Sequence, residues 1–485
     1  MGKFNAVKQP KSTKTINLAG GEAYSKTAEL ELVSILLTSF TQDQFYRSGN
    51  DTMKKLTELL GKVDPKFAAK AAIYARNEFG MRSITHVLSV EIAKYISGKD
   101  WGKKFFQEII HRPDDMTEII ACYFGKNKGK ALPNSLKKGF AKAFDKFDGY
   151  QIAKYRAEGK DVSLVDVVNL VHPKAIEKNK IALDELINGT LKSTDTWEAK
   201  LSSAGQKSEN AEEKMTLKAD VWKELIESKK LPYFALLRNL RNILEQAPAM
   251  TSKACEMLVD EKSIKKSLVL PFRFVTAIQE IEKLGSSKET KQVMVAINKA
   301  VDIACNNVPK FEGETLVVLD VSSSMTTAKC GNRTVAEIGA LFSSVLVKAT
   351  YADFMTFDGT ARYQTLNPAD STLTVAKSIR FNGGDTQFKT IFRTANKAYD
   401  RVIILSDMQN NSIGTGNDTL GEYRNRMGCN PFVYSFDLAG NGSMQFPQSK
   451  VCFLAGFSDK VFDIMAMLEK DKNALVNTIK KYVDL

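Results

Sequence analysis

ETLVVLDVSSSM, from Glu314 to Met325, is the stretch whose reading decides the fold. Glu314–Val321 is a short continuous apolar run, the pattern of a strand buried on both faces of a parallel sheet, and it breaks off into a loop of serines. Downstream the alternation repeats. TVAEIGALFSSVLVKAT (Thr334–Thr350) has helical spacing, ADFMTF (Ala352–Phe357) reads as a strand, and a helix pair comes next. RVIILSD (Arg401–Asp407) and PFVYSFD (Pro431–Asp437) are again strands. Short buried strands alternating with amphipathic helices predict a mainly parallel sheet covered on both faces. In such sheets ligands sit beyond the carboxyl ends of the strands.

The unusual residues fall at those strand ends. Asp320-Val321-Ser322-Ser323-Ser324 is a D-x-S-x-S arrangement that places the carboxylate of Asp320 and the hydroxyls of Ser322 and Ser324 on a single tight loop. The loop NGGDT (Asn382–Thr386) offers Thr386, and the strand RVIILS delivers Asp407 at its end. Asp320, Ser322, Ser324, Thr386 and Asp407 are all hard oxygen donors, a set suited to a small octahedral cation, Mg²⁺ or Mn²⁺. Asp385 is the rival of Thr386 for the second loop. The plainer reading of DVSSSM is an Asp/Ser helix cap after a buried strand. A hydrolytic metal site would want a general base beside the ion, and the three histidines, His86, His111 and His172, lie outside this part of the chain. With no Ser/His/Asp set, P-loop or GxGxxG to assemble, the chain is not expected to be an enzyme.

Upstream the grammar differs. From Tyr24 to Asn307 apolar residues recur at three- and four-residue spacing, as in Ala28–Phe40, Pro65–Phe79, Asp115–Phe124, Tyr233–Gln246 and Thr290–Asn307. Such helices in antiparallel succession predict an α-solenoid of HEAT-like pairs. Leu201–Met215 (LSSAGQKSENAEEKM) is polar and predicts an exposed loop. Charge divides at the same place as the grammar. Of 69 Lys+Arg and 56 Asp+Glu, 18 of each lie from Phe311 onward, so the whole surplus of 13 positive charges precedes it. A one-sided basic surface attracts polyanions, with nucleic acid and anionic membrane the usual candidates, and a generally solvated surface is the plainer reading. The six cysteines form no CxxC pair and read as reduced thiols. With no leader-like h-region and no long apolar run, a cytoplasmic location is expected.

From about Phe311 onward the D-x-S-x-S loop, the glycine-led threonine loop and the strand ending in Asp, in that order, resemble the metal-ion-dependent adhesion site of a von Willebrand factor A domain. Upstream, INLAGGEAY (Ile16–Tyr24), AIYARNEFGMRSITHVL (Ala72–Leu88), LPNSLKKGFAKAF (Leu132–Phe144), IAKYRAEGKDVSLVDVVNLVHPK (Ile152–Lys174), TDTWEAKLS (Thr194–Ser202) and LPYFALLRNLRNIL (Leu231–Leu244) resemble the TROVE module. Together they resemble the Ro ribonucleoprotein family of bacterial or phage type. The resemblance implies a mainly α chain in two domains. Residues 1–310 would be a TROVE ring of HEAT-like helices, closed by an α/β, Rossmann-like von Willebrand A domain at 311–485. It further implies a monomeric cytoplasmic scaffold that binds small noncoding Y-type RNA on its basic outer face. Single-stranded 3′ ends of misfolded RNA would pass through the hole, in RNA quality control or decay, alongside an exoribonuclease in some relatives. In A domains the open metal position accepts a partner's carboxylate.

The RNA-contact candidates come from two sources. Lys137, Lys138 and Lys142 crowd one helix, where like charges are unfavourable unless a phosphate backbone meets them; an ordinary solvated face is the alternative. The resemblance adds Lys154, Tyr155, His172 and Lys174. For His172 the alternative is a helix-end histidine bonded to backbone. Arg76 and Arg82 flank a glycine turn and point either to the central hole or to a structural ion pair. Trp101, Trp197 and Trp222 sit in helical apolar patterns and read as core. The rival function is a metal-dependent protein-interaction module whose basic helices bind an acidic partner.

Overall fold

The computed structural model describes residues 14–16, 22–24, 27–38, 49–128, 130–192, 196–206, 210–330, 333–367, 369–410, 419–439, 445–446, 450–455, 462, 465, 469 and 474–485. Among the described residues an antiparallel strand pair, β1 (Lys14–Ile16) with β2 (Glu22–Tyr24), comes first. Helices then succeed one another as far as the turn Cys305–Asn307. The helix expected over Tyr233–Gln246 spans those residues, and that expected from Pro65 runs Pro65–Glu78. The first starts after Pro232, and the second is started by Asp64, whose side chain accepts from Lys66 N–H at 3.1 Å, with Pro65 at the first helical position. The periodic apolar positions Leu236, Leu240 and Ile243 are buried, each contributing roughly 1.5–3 kcal/mol. Trp101 and Trp222 are core residues, while half-buried Trp197 stacks on Trp222 at 6.4 Å.

One expectation is corrected. Leu201–Met215 is not a loop among the described residues: Trp197–Gln206 and Ala211–Glu227 are helices. Asn210 caps the second by accepting from Glu213 N–H at 2.8 Å, and Glu212 and Glu213 suit the positive end of its dipole. Ser, Gly and Asn signalled a cap between two polar-faced helices rather than a long connection.

Packed neighbours build the array. Gly102–Glu108 lies against Asn134–Ala143 so closely that a Cβ on Gly139 would fall 2.5 Å from the Phe106 Cβ and 2.6 Å from the Lys103 carbonyl.

After the helices comes a six-stranded sheet. Its strands are β3 (Thr315–Asp320), β6 (Asp353–Phe357), β7 (Ala361–Gln364), β8 (Arg401–Ser406), β9 (Phe432–Asp437) and β10 (Val451–Ala455), in the order β10-β9-β8-β3-β6-β7. All pairings are parallel except β6 with β7, an antiparallel edge the sequence reading did not foresee, nor did it foresee β10. A small hairpin of β4 (Lys329–Cys330) and β5 (Arg333–Thr334) precedes the helix Val335–Thr350, whose start is a reciprocal capping pair of Thr334 and Glu337. The strand period of two divides the core: Val317, Leu319, Ile403 and Leu405 face that helix's side, and Leu316, Val318, Val402 and Ile404 face Lys389–Thr394 and Thr419–Met427.

The array meets the α/β unit at both of its own ends, which makes the chain a closed ring. On one side Asp302 of the helix Lys288–Ala304 accepts from Lys348 Nζ (3.1 Å), Thr372 N (2.8 Å) and Thr372 Oγ1 (2.6 Å). On the other, Ala28–Thr38 packs against the edge strand β10, and the last helix, Ala474–Tyr482, packs on Pro65–Glu78. An edge strand is thereby covered rather than left open to pairing with another chain. Among the described residues no helix is long and apolar enough to cross a membrane.

Candidate cation site and nucleic-acid interface

Parallel register brings the donor loops to one end of the sheet, because Asp320 lies level with Phe357 on β6 and Ser406 level with Asp437 on β9. Asp320 is fully buried. Its Oδ1 accepts from Ser322 N–H (2.9 Å) and its Oδ2 from the Ser406 hydroxyl (2.6 Å). The hydroxyls of Ser322 and Ser324 are 3.3 Å apart. The second loop is tied to the first: Gly384 N–H donates to Ser323 Oγ (3.0 Å) and Gly383 N–H to the Val321 carbonyl (3.2 Å). Both glycines hold positive φ, 80° and 99°, and a Cβ on Gly383 would come within 3.1 Å of Ser323 Oγ, so the close approach of the loops depends on them. On that loop Thr386 is buried and Asp385 is exposed.

Burial raises the carboxyl pKa of Asp320, with hydroxyl hydrogen bonds opposing and the charge of Asp358 adding to the rise. For Asp407, also fully buried, burial and then the charge of Asp320 act upward. The charged neighbours acting on the pair are therefore carboxylates, a surplus of negative charge in a dry place that a divalent cation would neutralise. Two carboxylates and three hydroxyls fit a Mg²⁺-type ion, with Asp320, Ser322, Ser324, Thr386 and Asp407 as the residues that would hold it. Among the described residues no group of three His, Cys, Asp or Glu side chains forms a metal cluster, so a site here relies on serine and threonine oxygens. Ser406, which the sequence reading passed over, is the hydroxyl that fixes Asp320; its place one residue before the strand-end Asp407 was the available signal.

The basic candidates lie on three helices, Asn134–Ala143, Gly149–Lys154 and Leu164–Val171, and on the residues just after the last two. Asn134–Ala143 carries Lys137, half-buried, with Lys138 and Lys142, both exposed. Lys142 pairs with Asp145 at 2.5 Å, so the cluster's own repulsion is partly relieved locally. This helix packs on Leu164–Val171, which ends at His172. His172 is exposed and holds a left-handed backbone, φ 49°, with its N–H on the Val168 carbonyl at 2.9 Å; Lys174 beyond it is exposed. Lys154 and Tyr155 close the helix Gly149–Lys154: the ammonium lies 5.7 Å from the Tyr155 ring and 3.8 Å from Glu198. Arg112 stands over the same ring at 4.3 Å, an aromatic flanked by two cations. No sequence spacing links Arg112 to Tyr155, and only packing reveals it.

Arg76 and Arg82 take the structural alternative. Arg76 is buried, and its Nε and Nη2 bond Asp115 at 2.9–3.2 Å. Asp115 also accepts from Arg82 Nε (3.4 Å), and from the backbone N–H groups of His111 (3.0 Å) and Arg112 (2.9 Å), with His86 Nε2 at 3.0 Å. Burial works to raise this carboxyl, but the bond from His86 and the charge of Arg76 overcome it and hold it far below the usual carboxylate range.

The family model for the TROVE domain matches residues 28–218 and 189–329. Telomerase protein component 1 of Mus musculus is 24% identical over 343 residues, and that of Rattus norvegicus 22% over 343, each alignment covering 54% of this chain. The match spans 13% of the length of either relative. Among solved structures, the crystal structure of the Deinococcus radiodurans RO (RSR) protein superimposes with a TM-score of 0.59 at 18% identity, covering 94% of this chain and 100% of that one. At that identity the likeness is one of fold.

Proposed function

The chain belongs to the TROVE domain family, whose model spans more than half of it, and from that premise we propose that it is a Ro-type RNA-binding scaffold rather than an enzyme. The observation that carries the reading is a coincidence of place: the whole surplus of 13 positive charges lies before Phe311, and 9 of the 13 fall in residues 28–310, the helical stretch that the family model covers. Lys137, Lys138, Lys154, His172 and Lys174 form its outer contact face, with Tyr155, backed by Arg112, as a stacking platform for an unpaired base. Small folded noncoding RNA of the Y type is the ligand of this face. Single-stranded 3′ ends of misfolded RNA are the ligand of the ring hole, gripped by charge and shape more than by sequence, in RNA quality control or decay. An exoribonuclease is the expected co-worker, the protein acts as a cytoplasmic monomer, and Mg²⁺ or Mn²⁺ occupies the strand-end donors.

A second reading is favoured by those donors. A cation on Asp320 and Asp407 with an open position would accept a carboxylate from a protein partner, and the scaffold would then recruit protein at one end of the sheet and RNA on the array. The two are separable, since binding across many phosphates weakens steeply with salt, whereas a carboxylate–metal contact vanishes with chelator.

The deciding experiment is purification without nuclease from the native host, followed by sequencing of the copurifying RNA against a mock purification. Enrichment of one or a few small folded RNAs is expected. A profile identical to the mock would overturn the RNA reading.

A further inference from the structure

A cavity of about 550 Å³ lies where the array meets the α/β unit, lined by none of the residues of the two sites above. Its walls come from the helices Tyr233–Gln246 and Phe274–Glu282 and from the hairpin residue Arg333. Helical spacing sets Arg238 and Arg241 along one wall, and Arg273 and Arg333 complete the rim, four guanidinium groups against the single carboxylate of Glu280 in the lining. Arg241 is engaged with that carboxylate at 3.1 Å and with Glu245 at 3.2 Å. Arg333 donates to Thr276 Oγ1, so one cation of the rim is positioned by the other unit. Arg238 is exposed and has no ion-pair or hydrogen-bond partner among the described residues. The floor is apolar: Leu237, Leu240 and Phe272 are all buried.

An arginine rim over an apolar floor selects a ligand that is anionic at one end and flat and apolar at the other. Guanidinium groups meet phosphate bidentately and also stack on planar rings. The volume falls in the usual range for one small ligand, about 300–1,000 Å³. We propose that this cavity binds one nucleoside phosphate, with the phosphate on the arginine rim and the base over the Leu237, Leu240 and Phe272 floor. The same chemistry is offered by a free nucleotide and by the terminal nucleotide of an RNA strand. Because the rim joins the two units through Arg333, an occupied cavity also braces that junction.

The test uses the full chain and calorimetric titration with adenosine 5′-monophosphate, with inorganic phosphate, and with a short single-stranded oligoribonucleotide. Arg238→Glu and Arg273→Glu, both at exposed positions, are compared with the wild type, and circular dichroism verifies their fold. Saturable binding of the monophosphate, weakened at least about tenfold by each variant, is expected for a free-nucleotide site. Binding of the oligonucleotide alone, lost in the same variants, assigns the site to a strand end. Inorganic phosphate binding as tightly as the monophosphate, variants with unchanged affinity, or no saturable binding of either nucleotide probe each overturns the proposal. Lys138→Glu serves as the control: it lies on the proposed RNA face, so loss of structured-RNA binding there with intact monophosphate binding separates the two readings.

Discussion

The Tyr482 hydroxyl donates to Glu78 Oε1 at 2.7 Å, joining residues 404 positions apart in the chain. Around this bond the Tyr482 ring meets Tyr74 edge-on at 5.1 Å, Lys480 pairs with Glu29 at 2.9 Å, and Lys70 Nζ donates to the Lys480 carbonyl at 2.7 Å. The last helix is thus a clasp on the helices Ala28–Thr38 and Pro65–Glu78. Tyr482→Phe keeps the ring and removes the bond, and is expected to cost about 1 kcal/mol in urea unfolding. Deleting residues 474–485 uncovers Tyr74 and Phe67 and is expected to open the helices before Phe79 to limited proteolysis. An unchanged cleavage pattern would show that the last helix does not hold the ring shut.

Asp115 is the hub of the array, and Asp115→Asn leaves Arg76 buried without its countercharge. A loss of about 3–5 kcal/mol is expected. The acid dependence derives from the depressed carboxyl pKa of the folded state. The contribution is complete above the unfolded value, about 3.9, and is lost as pH falls toward the folded one. Wild-type stability should therefore drop more steeply than that of Asp115→Asn on acidification below about pH 4. Parallel stability curves, measured by denaturant unfolding over a pH series, would remove Asp115 from this role.

On the basic face, Lys138→Glu combined with His172→Ala is expected to weaken binding of structured RNA at least about tenfold and to flatten its salt dependence. Both side chains are exposed, so the near-ultraviolet dichroism should not change. Equal affinity of variant and wild type would mean that the RNA face lies elsewhere on the ring.

At the sheet end, Asp320→Ala is expected to abolish Mn²⁺ binding, read by electron paramagnetic resonance, while RNA affinity is retained. Simultaneous loss of RNA binding would instead assign the cation a structural part in closing the ring. Thr386→Val tests the second loop: a weaker Mn²⁺ affinity supports the buried hydroxyl as donor, and an effect confined to Asp385→Asn would transfer the role to that exposed neighbour.

Much of this molecule was legible in its sequence because the determinants are local. The continuous apolar run from Thr315 and the three- and four-residue spacing over Tyr233–Gln246 declare strand and helix by periodicity alone, and a parallel sheet gathers the loops that leave its strands at one end. The sequence therefore places Asp320, Ser322, Ser324 and Asp407 on loops at one end of the sheet. The misread stretch at Leu201–Met215 fails for a related reason: Ser, Gly and Asn serve helix caps and loops alike, and local composition does not separate the two. Only the tertiary structure decided the meetings between residues far apart in the chain. The choice of Arg76 between a hole and an ion pair, the stacking of Arg112 on Tyr155, the arginine rim around Phe272 and the clasp of Tyr482 on Glu78 all depend on which helices pack together. That choice is made by buried surface summed over the whole chain, and no window of sequence contains it.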